Sequence, residues 1–313
     1  MAGPLDSAHA TTGVPYAGFG IDRVSSQRED AAWVTARAAD PSARVLPLWR
    51  DQALVTGDTA ALRVLEVDDV GQSRLVLLGL KDEVPWFAAD LSDLTRQDAL
   101  DVTAADDTAD TRSLFTSLPA DHAALLAYAR GLLYWNRHQR FCGRCGSAAE
   151  PRNGGLLRAC TSTECGLLLF PRIEPAVITL VETIAPPQRC LLARHRASKA
   201  GKHSLLAGFV EIGESLEDAV RREIREEAGI ALRDIRYIGS QPWPYPAGLM
   251  AGFRATTADE SVLADGKEIQ EARWFTRAEL RNYNECSGGL GRADSIDRIM
   301  LAAWLAEGET AAT

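Results

Sequence analysis

Between Gly208 and Ile230 the chain reads GFVEIGESLEDAVRREIREEAGI, seven acidic residues and three arginines bracketed by glycines. The spacing predicts a helix over Glu214–Ala228, with Leu216, Ala219, Val220 and Ile224 as its buried stripe. Glu223 and Glu227 stand four apart and Glu223 and Glu226 three apart, so the three carboxylates share one patch. Like charges at those spacings cost a bare helix roughly a few tenths of a kcal/mol per pair. Arg222, four residues before Glu226, offsets part of this. A salt-bridged solvated face is one reading; a site for a hard cation is the other. Mg²⁺ takes a few carboxylates, several waters and substrate phosphates, which suits an open patch of this kind. Gly208 and Gly213 allow a tight loop ahead of the helix, Glu214 sits where the helix dipole favours an anion, and Gly229 is a natural stop.

A second feature lies upstream in FCGRCGSAAEPRNGGLLRACTSTECG. Cys142 and Cys145 have two residues between them, and Cys160 and Cys165 have four. Two close pairs can fold as two knuckles and offer four thiolates to a tetrahedral Zn²⁺. Gly143 and Gly146 suit the tight turns. Four ligands leave no open position, so such a zinc is structural. Cys190 and Cys286 have no such pairing and read as small buried apolar residues.

The rest of the chain sets the frame. A formal net charge of −9 over 313 residues argues against a general nucleic-acid binder, while metal ions can still bridge to a phosphorylated ligand. The start, MAGPLDSAHATTGVPYAGFG, has no basic region followed by an apolar run, and no stretch reaches the roughly 18 apolar residues of a membrane span. A cytoplasmic protein without disulfides is expected. The first twenty or so residues read as loose. Short β-like runs begin near Ala43, and DLTRQDALDVTAADDTADTRS reads as an acidic loop with one helical turn. A helix is expected over Asp121–His138 and strands at Ala176–Val181, CLLARHR, MAGFRATT and EARWF. SQPWPYPAGLM reads as a loop. The last helix, Asp294–Ala306, places Ile296, Ile299, Met300, Ala303 and Trp304 on one stripe.

The positions Gly208, Glu214, Arg222, Glu223, Ile224, Glu226, Glu227, Gly229 and Ile230 match, without a mismatch, the signature of the Nudix hydrolases, which cleave nucleoside diphosphates linked to another group. Ten residues on, SQPWPYP resembles the SQPWPFP signature of the NADH pyrophosphatase branch, with Tyr245 for Phe and Gly248 where a Ser is usual. FPRIEP resembles that branch's Tyr-Pro-Arg motif, with Phe170 at the Tyr position. The resemblance implies an α/β protein: an N-terminal α+β domain over residues 1–139, a small zinc ribbon over 140–169, and a C-terminal Nudix α/β/α sandwich with a mixed sheet over 170–313. It implies metal-dependent hydrolysis of the pyrophosphate of NADH or NAD⁺ to nicotinamide mononucleotide and AMP, with removal of the NAD cap from RNA as a further activity. Catalytic Mg²⁺ or Mn²⁺, structural Zn²⁺, no membrane and a homodimer go with it. By resemblance, Glu223, Glu226 and Glu227 are catalytic, and the metal is held by these with Glu268 and the Ala207 carbonyl; Glu271 is the alternative to Glu268. Substrate contacts fall to Phe170, Phe209, Gln241, Pro242, Trp243, Pro244, Tyr245, Pro246 and Gly248. The competing class is a protein that senses NAD(H) or ADP-ribose without turnover.

Overall fold

Apolar residues alternate between two faces of a sheet in the first half of the chain, and helices cover both. The computed structural model describes residues 13–57, 61–71, 74–196, 198, 202–287 and 290–310. These fall into two units: residues 18–173 with 243–247, and residues 13–17, 174–242 and 248–310. No helix among the described residues is long and apolar enough to cross a membrane.

The first unit runs α1 (Ala31–Ala38), β1 (Arg44–Trp49), β2 (Gln52–Thr56), β3 (Ala61–Leu62), β4 (Leu75–Lys81), β5 (Val84–Asp90), α2 (Arg96–Thr103), β6 (Asp107–Asp110) and α3 (Ala120–His138). Its sheet has the order β3-β2-β1-β5-β4, with β6 also on β2. β1 and β5 are parallel, while β2 and β4 run antiparallel to their neighbours. Leu46, Leu48, Val76 and Leu78 pack with Leu125, Ala129, Leu132 and Leu133 of α3. Val45, Leu54, Leu77 and Phe87 pack on the other face with Ala38, Ala99 and Leu100. This two-sided burial follows from the strand period of two. The ribbon follows as β7 (Ala149–Arg152), β8 (Leu157–Cys160) and β9 (Leu168–Leu169), in that order in a three-stranded sheet.

The second unit runs β10 (Glu174–Thr183), β11 (Arg189–His195), β12 (Leu206–Phe209), α4 (Leu216–Ala228), β13 (Ile235–Trp243), β14 (Gly248–Thr257), β15 (Ile269–Thr276), α5 (Arg277–Ser287) and α6 (Ile296–Thr310). The sheet order is β13-β14-β10-β11-β15, with β12 on β10. β10 is buried from Ala176 onward and pairs in parallel with β14 from Glu174↔Gly248 to Thr183↔Thr257. A near-continuous apolar run is what a central strand covered on both faces requires. Ile178, Leu180 and Phe275 pack against Leu280, Ile296, Met300 and Trp304 of α5 and α6. Val177, Val181 and Leu191 lie in the clusters that hold Ala219, Val220, Ile224 and Ala228 of α4. The result is the expected α/β/α sandwich around a mixed sheet.

Four expectations need correction. The acidic stretch after Leu91 is not a loop with one helical turn. Thr95 caps the two-turn helix α2 by accepting from the Asp98 amide, and β6 pairs with β2 from Gln52↔Asp110 to Val55↔Asp107. Its few buried residues, Ala99, Leu100 and Thr103, leave too weak a period to read. Residues 1–12 lie outside the described residues, but Val14, Tyr16 and Phe19 are buried, and the Tyr16 hydroxyl donates to Asp294 at 3.0 Å. SQPW is not loop but the end of β13. Ile299 is exposed, so the stripe of α6 is Ile296, Met300 and Trp304 with Leu301. Cys190 is buried as expected, whereas the side chain of Cys286 lies outside the described residues.

Asp297, at the start of α6, is buried and accepts from the Leu205 amide at 3.4 Å. Burial pushes its carboxyl up to about 7. The fold therefore favours the neutral acid. That contribution is complete below the unfolded Asp value of about 3.9 and is lost as pH rises through about 7. Asp297→Asn is expected to gain thermal stability on the wild type from about pH 4 to about pH 7 and to level off above that. Melting curves from about pH 4 to about pH 8 check this, and a pH-independent difference contradicts it.

Candidate metal and active site

The glutamates are placed by a well-defined helix start. Ser215 caps α4 by accepting from the Asp218 amide at 3.1 Å, and its own hydroxyl donates to Asp218 at 2.7 Å. At the far end Gly229 takes φ 74°, the left-handed conformation that ends a helix at little cost to glycine. α4 lies against β12, whose Ala207 and Gly208 pair with Ile178 and Val177 of β10. Gly208 is required here by space. A Cβ at that position would stand 1.9 Å from the Glu223 carboxyl carbon.

Arg222 organises one side of the cluster. Its Nε and Nη2 donate to the two oxygens of Glu214 at 2.7 and 2.9 Å, Nη1 donates to Glu223 at 2.9 Å and Glu226 at 3.2 Å, and Nη2 also donates to the Phe209 carbonyl at 2.8 Å. The bidentate Arg222 fork, with the Glu211 amide, holds the Glu214 carboxyl down to about 2. Glu214 thus fixes the loop before the helix.

Glu227 is different. It is 5% exposed, and its Oε2 is buried with no hydrogen-bond partner. Burial, then the charges of Glu223, Glu268, Asp265 and Glu226, push it up to about 8. Glu223 is also raised, by burial first, against the pull of Arg222. A buried carboxylate oxygen beside other carboxylates is costly unless a cation meets it. The donor set, hard oxygens only, fits Mg²⁺ or Mn²⁺.

Glu268 belongs to this group, since its charge acts on both Glu223 and Glu227. Glu271 instead faces Arg194 and His203, at 3.4 and 3.7 Å. Asp265, which sequence reasoning missed, builds the turn that carries Glu268 by accepting from the amides of Lys267, Glu268 and Ile269. The Asp-Gly pair at 265–266 was the available signal for that turn. A depression of about 420 Å³ along α4 is lined by Asp218, Arg221, Arg222, Arg225, Glu226 and Ile230, so it shares Arg222 and Glu226 with the cluster, while Glu223 and Glu227 do not line it.

The remaining candidates are scattered. Phe209 is 63% exposed beside the cluster, and Gly248 opens β14. Gln241 is wholly buried. Its amide nitrogen donates to the Asp294 carbonyl at 2.8 Å and its oxygen accepts from the Ile296 amide at 2.6 Å, so it ties β13 to the start of α6. Pro242 is half-buried at the end of β13. Trp243, Pro244, Tyr245 and Pro246 belong to the first unit, with Pro244 buried and both rings half-buried. Phe170, also in that unit, is 60% exposed.

The cysteines converge. All four Sγ atoms lie within 4.8 Å of one another, with Cys142–Cys165 at 3.8 Å and Cys145–Cys160 at 3.4 Å. A zinc with about 2.3 Å bonds sets sulfurs about 3.8 Å apart in a tetrahedron, so the set fits Zn²⁺. Two like turns supply it: the Gly146 amide donates to Cys142 O, and the Gly166 amide to Ser162 O. Both glycines have positive φ, which Gly143 does not. Cys160 arrives from β8 rather than from the second turn, which explains the wider gap. Hydrogen bonds from Ser147 pull the Cys145 thiol down, the direction that favours a thiolate ligand.

Gly208→Ala is expected to displace the Glu223 carboxylate and weaken Mn²⁺ binding at least tenfold, about 1.4 kcal/mol, with the fold retained. Calorimetric titration measures it; unchanged affinity contradicts the packing argument. The wild type is expected to carry one zinc per chain by metal analysis, and Cys160→Ser to lose it together with thermal stability.

Residues 174–292 match the NUDIX domain, residues 42–135 the NADH pyrophosphatase-like rudimentary NUDIX domain, and residues 137–170 the NADH pyrophosphatase zinc ribbon domain. The NAD-capped RNA hydrolase NudC of Mycobacterium bovis is 37% identical over 299 residues, 92% of this chain and 93% of that one. The NAD-capped RNA hydrolase NUDT12 of Macaca fascicularis is 32% identical over 306 residues, 83% of this chain. The chain spans 65% of that relative's length. Among solved structures, a NUDIX hydrolase from Nitrosomonas europaea aligns over 45% of this chain and 80% of its own at 26% identity, with a TM-score of 0.38. The chain belongs to the Nudix hydrolase superfamily, in the branch that joins an NADH pyrophosphatase-like rudimentary NUDIX domain and a zinc ribbon to the NUDIX domain.

Proposed function

We propose that the protein hydrolyses the pyrophosphate of NADH and NAD⁺, giving reduced or oxidised nicotinamide mononucleotide and AMP, and that it removes the NAD cap from RNA by the same step. The observation that carries this is the buried, unpartnered Oε2 of Glu227 among Glu223, Glu226 and Glu268. In this reading Glu223, Glu227, Glu268 and the Ala207 carbonyl hold Mg²⁺ or Mn²⁺, and Glu226 completes the cluster as ligand or base. A cation held there would supply charge to neutralise the pyrophosphate oxygens and to lower the pKa of the attacking water. Water adds to one phosphorus, the bond from that phosphorus to the bridging oxygen breaks, and the bridging oxygen leaves with the second phosphate. The cluster takes up the water's proton. No electron is transferred.

Arg222 keeps the carboxylates in register rather than meeting phosphate, since its donors already reach Glu214, Glu223, Glu226 and the Phe209 carbonyl. Phe209 offers an exposed ring beside the cluster for a base, and the resemblance assigns Trp243 and Tyr245 to substrate contacts as well. The same reading divides the chain at 1–139, 140–169 and 170–313 and takes it as a cytoplasmic homodimer. Exposed Phe141, Leu168, Phe170 and Ile173 give a dimer contact its apolar surface.

Product analysis tests the reading. NADH, NAD⁺, ADP-ribose and an NAD-capped RNA are incubated with and without Mg²⁺, beside Glu227→Gln. Mg²⁺-dependent AMP and reduced nicotinamide mononucleotide from NADH are expected, with at least a hundredfold lower rate in the variant, about 2.7 kcal/mol of barrier. Binding of dinucleotides without cleavage supports a sensor instead.

A further inference from the structure

The glutamates occupy one side of α4, and a second set of charges occupies its outer side. Arg221 and Arg225 each follow a wholly buried residue, Val220 and Ile224, and both are exposed. Four residues on one helix place them one above the other, about 6 Å apart along the axis. Arg221 meets Asp218 at 3.4 Å, but both partners are more than half exposed, and such a pair holds its arginine weakly. The Arg225 guanidinium has no hydrogen bond or ion pair among the described residues. Both arginines line the depression of about 420 Å³, whose other wall is the stretch 230–232. Sites for small molecules have volumes of roughly 300–1,000 Å³. Arg222 and Glu226 line it too, and Arg222 Nη1 donates to both Glu226 and Glu223, so the depression borders the glutamate cluster. Every one of these residues lies in the second unit.

We propose that this depression is a subsite for the phosphodiester backbone that follows the cap of an RNA substrate, with Arg221 and Arg225 as its phosphate-binding residues. This rests on the decapping reading given above. With a formal net charge of −9 the chain as a whole repels a polyanion, so attraction falls to local cations. A guanidinium offers a planar fork of donors that matches phosphate oxygens and stays charged at every working pH. Two of them one helical turn apart suit a chain that repeats its phosphates better than they suit a single phosphate. Ala231 and Leu232 on the opposite wall give ribose and base an apolar surface. Arg222 takes no part, because its donors are already used on the glutamates and the Phe209 carbonyl. Neither Arg221 nor Arg225 hydrogen-bonds to a glutamate of the cluster, so their loss acts on binding of the RNA chain and not on the hydrolytic step.

The test is steady-state hydrolysis by the full chain with Mg²⁺, comparing wild type, Arg225→Gln, Arg225→Lys and the double variant Arg221→Gln/Arg225→Gln. Three substrates are used across a range of salt: NADH, NADPH and a short NAD-capped RNA. Melting temperatures are recorded for each variant. In the double variant KM for the capped RNA is expected to rise about tenfold, and its salt dependence to become shallower by about 0.7 in log–log slope for each arginine removed. Its kcat on the capped RNA and both constants for NADH are expected to stay near wild type. Arg225→Lys, which keeps the charge, is expected to lose less than Arg225→Gln. An unchanged KM and salt slope for the capped RNA in the folded double variant overturn the proposal. So does an equal loss on NADH and capped RNA, the mark of a merely structural role. A rise confined to NADPH, whose additional phosphate is single, overturns it as well. Should the double variant not fold, Arg225→Gln decides by the same criteria. A wild type that cleaves NADH but not the capped RNA overturns the decapping reading and this proposal with it, whereas a wild type that cleaves the capped RNA beside an indifferent double variant overturns this proposal alone.

Discussion

Mutual repulsion among carboxylates on one turn of helix is the constraint around which the second unit is arranged. Glu223, Glu226 and Glu227 project from α4 within a few residues, and the turn built by Asp265 brings Glu268 into their field. Arg222 balances this from one side only. Its fork satisfies Glu214 and reaches Glu223 and Glu226, but not Glu227. The backbone has been cut to fit the cluster, because Gly208 leaves out the one atom that would occupy the place of the Glu223 carboxylate. A stable globular core elsewhere permits this local imbalance. β10, covered on both faces, fixes β12, and β12 fixes the floor on which the glutamates stand.

The first unit answers different demands. Its sheet has helices on both faces and a core of its own, with α3 burying nine residues against it or around it. The ribbon that follows is too small to bury such a core, and its four converging cysteines fit a zinc ion that would supply the missing cohesion. The aromatic segment 243–247 belongs to this unit rather than to the one that carries the glutamates. Its prolines make it stiff along the chain but poor in donors, so arginines of α3 and its approach complete it.

Much of this was legible because it depends on neighbours in sequence. The helix expected over Glu214–Ala228 forms as α4 over Leu216–Ala228, the difference being the Ser215–Asp218 cap. The long apolar run of β10 and the stripe of α3 likewise announce themselves. The parts that were not legible depend on contacts distant in sequence. α2 is held by three buried residues and β6 by a strand partner some fifty residues away, so the local pattern of both is faint. Tyr16 is held by Asp294, and Gln241 by the start of α6, neither of which leaves a mark on the local sequence. Arg130 meets Pro244 across 114 positions. Asp265 was visible as an Asp-Gly turn, but not its relation to the glutamates.

The most direct test of the central claim is the melting temperature of the wild type and Glu227→Gln, each with and without Mg²⁺. If the cluster is an uncompensated set of carboxylates that a cation completes, Mg²⁺ raises the melting temperature of the wild type. Glu227→Gln then melts higher than the wild type without metal and responds to Mg²⁺ far less. A Glu227→Gln protein that melts lower than the metal-free wild type and gains as much from Mg²⁺ contradicts the account.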